Sequence, residues 1–238
     1  KGLADIVTYL GRSILHILEF SGYTILLFFR SMRYLRNVVR RRHEIARQMF
    51  NAGARTFGVI TVVSLFTGMI LTLQTGIALK DYGMEENIGN IVIATLTREM
   101  GPFSAAIIPI ASIGSAMAAE LGTMKVSEEI DALQVMSIHP EDYLVMPRVV
   151  ALTVMMPVAT IYVHTLGVIG GAVIADSHLG VSFQTFYLHV LESLWFKATY
   201  VGLLKALVFG MAISSISCAH GLRAENGARG VGRATRNS

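Results

Sequence analysis

Residues 57–79 read FGVITVVSLFTGMILTLQTGIAL, an unbroken run without a charged side chain. A hydrocarbon core about 30 Å thick is crossed by roughly 20 helical residues, so this run is long enough to span a membrane as an α-helix. Gly68, Thr72 and Gly76 recur four residues apart and therefore lie on one face of that helix. Because small residues let helix backbones approach closely, this face predicts a tight contact with another membrane helix.

The composition of the whole chain also indicates a membrane protein. Of 238 residues, 53% are hydrophobic and 15% are charged, whereas soluble domains are about 25% charged. The net charge of +4 comes from arginines beside apolar segments, where they set topology and meet anionic lipid. We therefore predict no nucleic-acid partner. Cys218 is the one cysteine in the sequence, so it cannot form an internal disulfide and is predicted to be a small packing residue.

Three further segments have the length and hydropathy of a membrane helix. Together with the first run they predict four visible spans and a polytopic all-α fold. Lys205 interrupts the last span and must snorkel to the interface, face the bundle interior or pair with an opposite charge. The four predicted spans cover about residues 57–79, 88–119, 147–175 and 196–219.

The first 29 residues are apolar but are interrupted by charged and imidazole side chains every one or two helical turns. This pattern predicts an amphipathic helix that lies in the membrane interface. The alternative is an additional span from Ile14 to Phe29, which is short for a span and contains Glu19. We predict two regions: an interfacial helix with a basic juxtamembrane segment (residues 1–55), and a transmembrane domain (residues 56–238).

Lysine and arginine are distributed unevenly around the predicted spans. Eight arginines lie between residues 30 and 55, and four more follow residue 219, which places both regions in the cytoplasm by the positive-inside rule. Loops 80–86 and 176–197 contain few basic residues and are predicted to lie outside. The N-terminus is then cytoplasmic, and so is the loop 120–148 between spans two and three, although it is acidic.

Arg98 and Glu99 are the charged pair within the apolar stretch from Ile88 to Ala119. Charges at membrane depth are costly and face a bundle interior or a wet cavity, which makes this pair a candidate functional site. Gly101 and Pro102 follow directly and are expected to break or kink the helix and free backbone groups for a ligand. The alternative is that span two begins at Gly101 and the pair lies at headgroup level.

A run of small residues passes directly into an acidic amphipathic stretch at residues 114–133, GSAMAAELGTMKVSEEIDAL. Ser127 is predicted to cap a helix whose first turn contains Glu128 and Glu129, and Pro140 is predicted to end it. The apolar residues of this helix form one stripe, which needs lipid, its own bundle or a partner for burial. The acidic face disfavours anionic lipid and favours a protein. The stripe consists of Val126, Ile130, Leu133 and Met136.

The sequence contains no phosphate-binding loop, no HExxH motif and no nucleophile elbow after a strand. We therefore predict no catalytic residue, no metal-ligating residue, no cofactor of the chain's own and no enzymatic activity. The alternative is an intramembrane lipid-modifying enzyme built from Arg98, Glu99, His164 and Lys205, although these residues lack a convincing nucleophile–base pair or metal cluster. A channel is disfavoured because the spans contain few regularly placed polar residues.

Residues 97–102, TREMGP, resemble the L-R-E-L-G-P element of the MlaE/YrbE permeases, the membrane subunits of MCE-type ABC transporters. Residues 114–124 and 128–133 are similar to that family's G-S-A-x-x-A-E-I-G-x-M and E-Q-[IL]-x-[AS]-[LM] signatures. Residues 68–74 and the GRATR element at 232–236 also agree with the family. The resemblance covers nearly the whole chain.

The resemblance implies a permease homodimer in a bacterial inner membrane, below a ring of MCE subunits and above two cytoplasmic ATPases that bind the ATP. It implies transport of phospholipid or another hydrophobic molecule between membranes. Family members continue past the GRATR element into a fifth membrane helix, so we expect the natural protein to be longer. The resemblance assigns ATPase coupling to Glu128, Glu129, Ile130, Leu133 and Met136 on a coupling helix between spans two and three, and lipid binding to Leu71, Gln74, Ala78, Leu79, Tyr82, Arg98 and Glu99.

Overall fold

A computed structural model describes residues 2–80, 82–84, 87–224 and 227–238. Across these residues the chain consists of helices and short connections without a β-strand, which confirms the predicted all-α fold. Short 3₁₀ or π segments occupy Tyr34–Asn37, Leu96–Met100, Ile110–Gly114 and Glu141–Val145. The α-helices are α1 (Gly2–Arg33), α2 (Arg42–Lys80), α3 (Ile88–Thr95), α4 (Gly101–Pro109), α5 (Ser115–Val126), α6 (Glu129–Val135), α7 (Met146–His178), α8 (Phe183–Glu192), α9 (Phe196–Leu222) and α10 (Gly227–Asn237).

Five helical stretches in the described residues are long and apolar enough to cross a membrane, which confirms a polytopic architecture. Four of them contain the four spans predicted from the sequence. The fifth, Ile14–Asn37, qualifies because the helix continues through Glu19 and past Phe29. The N-terminal helix is therefore longer than the additional span from Ile14 to Phe29 that the sequence left as an alternative, and its placement in the membrane interface stays a prediction. The five stretches are Ile14–Asn37, Arg42–Lys80, Ile88–Val126, Glu141–His178 and Phe196–Leu222.

Helix α2 is a single element of 39 residues from Arg42 to Lys80. It combines the end of the basic segment with the first predicted span, so Arg47 and Arg55 lie on the same helix as the apolar run. The hydroxyl groups of Thr56, Ser64 and Thr67 donate to carbonyl groups four residues earlier, as Thr56 does to Ala52 at 2.8 Å. This local bonding satisfies these three hydroxyl groups without a partner helix.

The stretch Ile88–Val126 is continuous, but two π-turns divide it around α4. Both turns adjoin a proline: Pro102 lies in the first turn of α4, and Pro109 is its last residue. Proline has no backbone N–H and removes one helical hydrogen bond, and a wider π-turn adapts the backbone to this loss. The predicted break after Glu99 is thus a local widening within a continuous stretch.

The chain divides into two compact units. Unit 1 comprises Lys1–Ile45, Gly114–Val149 and Ser214–Ser238, and unit 2 comprises Ala46–Ile113 and Val150–Ile213. In unit 1, Cys218 is fully buried, which confirms its predicted packing role. The core of unit 1 contains Leu27, Leu121, Ile130, Leu144, Val145, Val149, Cys218 and Ala219. The core of unit 2 contains Ile88, Val92, Ile93, Leu96, Ala172, Ala175, Val181, Phe186 and Val190.

Within unit 2, α2 and α7 cross with their backbones in close approach. A Cβ atom placed on Gly68 would lie 1.9 Å from the carbonyl oxygen of Gly167, and Thr72 on the same face of α2 is fully buried. One turn further on, a Cβ on Gly76 would meet the side chain of Leu179 at 2.3 Å. The small-residue face predicted from the Gly68, Thr72 and Gly76 spacing is therefore confirmed as a helix contact.

Candidate functional site

Three charged residues predicted within the spans, Arg98, Glu99 and Lys205, form one cluster in unit 2. The Lys205 ammonium group donates to Glu99 Oε1 at 2.6 Å and to the backbone carbonyl of Arg98 at 3.0 Å. Lys205 thus follows the third of its predicted options, pairing with an opposite charge. Pairing reduces the cost of placing charges among apolar helices, and it leaves the guanidinium of Arg98 as the cluster's uncompensated charge among the described residues.

Pro102 explains why Lys205 reaches the Arg98 carbonyl. In a regular helix, the N–H of residue 102 would donate to that carbonyl, but proline has none. The π-turn begins at Leu96, whose carbonyl accepts the N–H of Gly101, and the Arg98 carbonyl accepts from Lys205 instead. The sequence predicted that backbone groups would be freed for a ligand; the freed carbonyl is taken by a lysine of the same chain.

A cavity of about 460 Å³ adjoins the cluster, and we call it the Arg98 cavity. Its polar lining is cationic because Arg98 and Lys197 both face it, and its walls include the indole of Trp195. No acidic side chain is among the described residues that line it. The volume suits a polar headgroup with part of an apolar tail. The lining residues are Ala94, Arg98, Ser193, Trp195, Lys197, Ala198 and Val201.

The five α2-side residues assigned to lipid by the resemblance occupy mixed environments in unit 2. Leu71 and Leu79 are partly buried and pack against the core of this unit. Gln74 and Ala78 are exposed on α2, and Tyr82 is exposed in the turn that follows it. These five are not among the described residues that line the Arg98 cavity. The structure therefore brings Arg98 and Glu99 together with Lys205 but leaves the α2 residues as a separate set.

His164 lies buried beside Gly101, where a Cβ on that glycine would be 2.2 Å from the histidine Nε2. His164 is therefore a packing neighbour of the π-turn region. Among the described residues, no group of three or more histidine, cysteine, aspartate or glutamate side chains could hold a metal ion.

The sequence missed two residues of the Arg98 cavity, Lys197 and Trp195. Trp195 directly precedes α9 and Lys197 is the second residue of that helix, where the sequence indicated only an outer loop with one lysine. A tryptophan two residues from a lysine at the end of an apolar run is a signal for a membrane-interface position. That signal indicated a membrane-interface position for Trp195 and Lys197. It did not indicate Arg98 as their neighbour, because Arg98 is far away in the sequence.

The coupling segment, Val126–Met136, begins differently from the prediction. Ser127 does not cap α6: its hydroxyl donates to the Thr123 carbonyl and to Glu129 Oε1. The residue at the cap position is Glu128, which has φ +60° and no side-chain capping bond. The prediction was wrong because Ser127 caps the C-terminal end of α5, where its backbone N–H donates to the Thr123 carbonyl, and the chain turns into α6 through the left-handed Glu128.

The apolar stripe of this segment is divided between the protein interior and the surface. Ile130 is 2% exposed and lies in the core of unit 1, and Leu133 is partly buried and packs against that core. Met136 is 62% exposed, and Val135, which the sequence did not single out, is 86% exposed. Ile130 therefore anchors α6 to its own bundle, while Val135 and Met136, and to a smaller extent Val126 at 38%, expose apolar surface that another protein can reach.

Unit 1 also contains an ion pair between a buried arginine and a largely exposed glutamate, which the sequence did not identify. Arg148 is 5% exposed, and its guanidinium donates to Glu120 Oε2 and to the Leu144 carbonyl, both at 2.8 Å. Glu120 belongs to the GSAMAAELG motif, and Arg148 lies near the start of α7. The pair therefore joins the residues before the coupling segment to those after it.

The model of the Permease MlaE family matches residues 45–238. The chain is 37% identical over 191 residues to a probable ABC transporter permease protein of Rickettsia typhi, covering 80% of this chain and 74% of that protein. It is 36% identical over 207 residues to a probable ABC transporter permease protein of Synechocystis, covering 86% and 77%. It is 34% identical over 204 residues to the chloroplastic protein Trigalactosyldiacylglycerol 1 of Arabidopsis thaliana, covering 86% and 58%. The chain therefore belongs to the MlaE permease family, as a multi-pass membrane subunit of an ABC transporter that carries out transport rather than catalysis and works with a separate ATPase.

Proposed function

We propose that this permease moves phospholipid between membranes and that ATP binding and hydrolysis take place on its partner subunits. In this proposal two copies form a homodimer in a bacterial inner membrane, with the N-terminus in the cytoplasm. Two ATPases dock from the cytoplasm and a ring of MCE subunits carries the lipid on the other side. The family resemblance supports this arrangement.

The observation that carries the phospholipid assignment is the Arg98 cavity. Lys205 is neutralised by Glu99 at 2.6 Å, so the positive charges of Arg98 and Lys197 remain for a ligand. Guanidinium and ammonium groups bind phosphate oxygens by charge-assisted hydrogen bonds. Beside them, Trp195 and Val201 provide apolar surface. A phosphate bonded to an apolar tail matches both features, whereas a neutral sugar headgroup would leave two cations without an anionic partner.

The Arabidopsis relative supports a glycerolipid cargo, but not a particular headgroup. Its name contains trigalactosyldiacylglycerol, a molecule with two acyl chains on glycerol. The diacylglycerol part is shared with phospholipids, and the headgroup is not. We therefore propose that the acyl portion contacts the exposed side chains of Gln74, Ala78 and Tyr82, and that the headgroup lies near Arg98.

The coupling segment is proposed as the ATPase contact. Glu128 and Glu129 are exposed and give the segment an acidic surface, and Val135 and Met136 add exposed apolar area beside it. An apolar patch with a polar rim is the usual composition of a protein interface. Ile130 and Leu133 hold the segment on unit 1 from the other side. In this role they position the contact residues and do not touch the ATPase.

The two assignments are tested together on the tagged complex purified from native membranes. Bound phospholipid is quantified by mass spectrometry, and retained ATPase is quantified by immunoblotting. We expect Arg98→Gln to lower bound phospholipid by roughly tenfold, as loss of one charge-assisted contact implies, while the ATPase remains. We expect Met136→Asp to release the ATPase while phospholipid remains.

Phe183→Asp is the control, because Phe183 is an exposed aromatic residue on α8, away from both candidate sites in sequence. It should leave both readouts near the wild-type values. Equal phospholipid content in wild-type protein and Arg98→Gln would refute the headgroup assignment. Undiminished ATPase retention in Met136→Asp would refute the docking assignment.

A further inference from the structure

The residues that follow the coupling segment are held against the junction between α1 and α2. Asp142 accepts hydrogen bonds at both carboxylate oxygens: from the Asn37 side-chain amide at 2.9 Å and from the Arg41 guanidinium at 3.1 Å. Arg41 also lies over the ring of Tyr143, 4.7 Å from its centroid. We call Asn37, Arg41 and Asp142 the Asp142 clamp. All of its residues belong to unit 1.

Neighbouring contacts also join the residues after the coupling segment to the end of α1 and the residues that follow it. Arg30 lies 3.7 Å from Glu141, and the rings of Tyr34 and His139 are 6.0 Å apart. Residues just after the coupling segment thus meet residues from the last turn of α1 onward at several consecutive points. The side chains of Arg41 and Asp142 are both largely buried, so their pairing is less screened by water than an exposed ion pair.

The position of the clamp in the chain gives it a mechanical consequence. Arg41 directly precedes α2, which begins at Arg42 and continues without a break to Lys80. Near its other end α2 carries Gln74 and Ala78, two of the proposed lipid contacts. An α-helix keeps its hydrogen-bonded geometry along its length, so a displacement applied at its first turn is carried along its axis.

We propose that Asp142 is a positioning residue for transport, which passes displacement of the coupling segment to α2 through Arg41 and Asn37. This inference rests on the proposed function and adds a route by which displacement of the coupling segment reaches α2. The coupling segment also continues covalently into α7 through residues 137–145. The clamp adds a second connection, to the helix that carries the proposed lipid contacts.

The test uses the complete complex with its ATPases in proteoliposomes, and measures ATP hydrolysis and phospholipid transfer in the same samples. We expect Asp142→Asn to keep ATPase binding and ATP hydrolysis while the phospholipid transferred per ATP falls roughly tenfold, since the charge-assisted bond to Arg41 is weakened. Arg41→Asp should show the same loss. Combining Arg41→Asp with Asp142→Arg should recover part of the transfer per ATP.

The matched control is Glu19→Gln, which removes the Arg223–Glu19 ion pair, another pair in unit 1 that lies outside the clamp. This variant should keep the wild-type transfer per ATP. Wild-type transfer per ATP in Asp142→Asn and Arg41→Asp would overturn the clamp and leave the proposed function intact. A parallel fall in assembly and hydrolysis, without recovery in the double variant, would overturn it as well, because it shows a role in folding alone. Absence of ATP-dependent transfer by the wild-type complex would overturn the proposed function and the clamp with it.

Discussion

Replacing Gly68 by alanine perturbs the crossing of α2 and α7 by a single methyl group. The new Cβ would lie 1.9 Å from the Gly167 carbonyl oxygen and 2.6 Å from its carbon, whereas ordinary van der Waals contact begins at 3.4 Å. The two backbones must therefore separate locally by about 1.5 Å, the difference between these distances. The obstacle is backbone, so no side-chain rotation can relieve the clash.

The expected cost follows from the rigidity of the obstacle. Overpacking a well-packed interior costs about 1–3 kcal/mol, and a flexible neighbour keeps the cost near the low end. At Gly68 the neighbour is the backbone of another helix, so we expect a loss of about 3 kcal/mol in the free energy of unfolding. Separating the two backbones also lengthens the next close approach along α7, between Gly170 and the Leu65 carbonyl oxygen. A Cβ on Gly170 would be 2.3 Å from that oxygen.

Equilibrium unfolding of the purified protein in detergent micelles measures this loss. Gly58→Ala is the matched control, because Gly58 lies on the same helix and a Cβ placed there meets nothing within 4 Å. Alanine should be neutral or stabilising at that position, by up to about 1 kcal/mol from helix propensity. If Gly68→Ala and Gly58→Ala have the same unfolding free energy, the close approach of α2 and α7 is not present in the protein.

Two further predictions concern the ion pairs. Glu120→Ala should cost about 3 kcal/mol of unfolding free energy, because it leaves the buried guanidinium of Arg148 without its carboxylate. Arg148→Met should cost less, since the Glu120 side chain is largely exposed. A larger loss in Arg148→Met than in Glu120→Ala, measured by chemical unfolding, would contradict this reasoning. Lys205→Met should lower the free energy of unfolding, because it leaves Glu99 without its partner among apolar helices. It should also lower bound phospholipid, measured by mass spectrometry, since Glu99 then places an unpaired negative charge beside Arg98. Unchanged lipid content would show that the ion pair does not affect lipid binding.

The helices of the membrane domain were predictable because their signal is local. A charge-free run such as residues 57–79 has the length of a bilayer crossing whatever lies beside it. The spacing of Gly68, Thr72 and Gly76 likewise predicted a face for close contact. Neither pattern identifies the partner helix, because the sequence of α2 contains no information about which apolar surface will cover it. The structure was needed to assign that partner to α7.

The pairing of Lys205 with Glu99 depended on distant parts of the chain and could only be left as an option. Each charge was conspicuous in its apolar surroundings, but 106 residues separate them. Pro102 explains the other half of the contact in retrospect, since it leaves the Arg98 carbonyl without a backbone donor. A rule that couples a proline to the unbonded carbonyl four residues earlier would have predicted a missing donor, though not which side chain supplies it.

The Ser127 error arose from judging a cap by residue type alone. Serine before two glutamates fits the start of a helix equally well in any sequence. The competing bond, from the Ser127 hydroxyl back to the Thr123 carbonyl, ties the residue to the C-terminal end of the preceding helix. Which bond forms depends on the backbone at Glu128, whose left-handed conformation is a rare choice for a residue other than glycine. The sequence did not indicate that choice.

The burial of Ile130 gives the proposed docking segment a physical basis for transmitting force. A short helix that rested only on lipid would move by itself when pulled, and little displacement would reach the spans. Here α6 is fixed to unit 1 by Ile130 in the core, and the Lys125–Asp131 ion pair at 2.7 Å adds a polar tie. Core packing resists deformation because protein interiors are densely packed. A partner that binds Val135 and Met136 would therefore displace unit 1 as a body. Transmission of force from an ATPase requires this property.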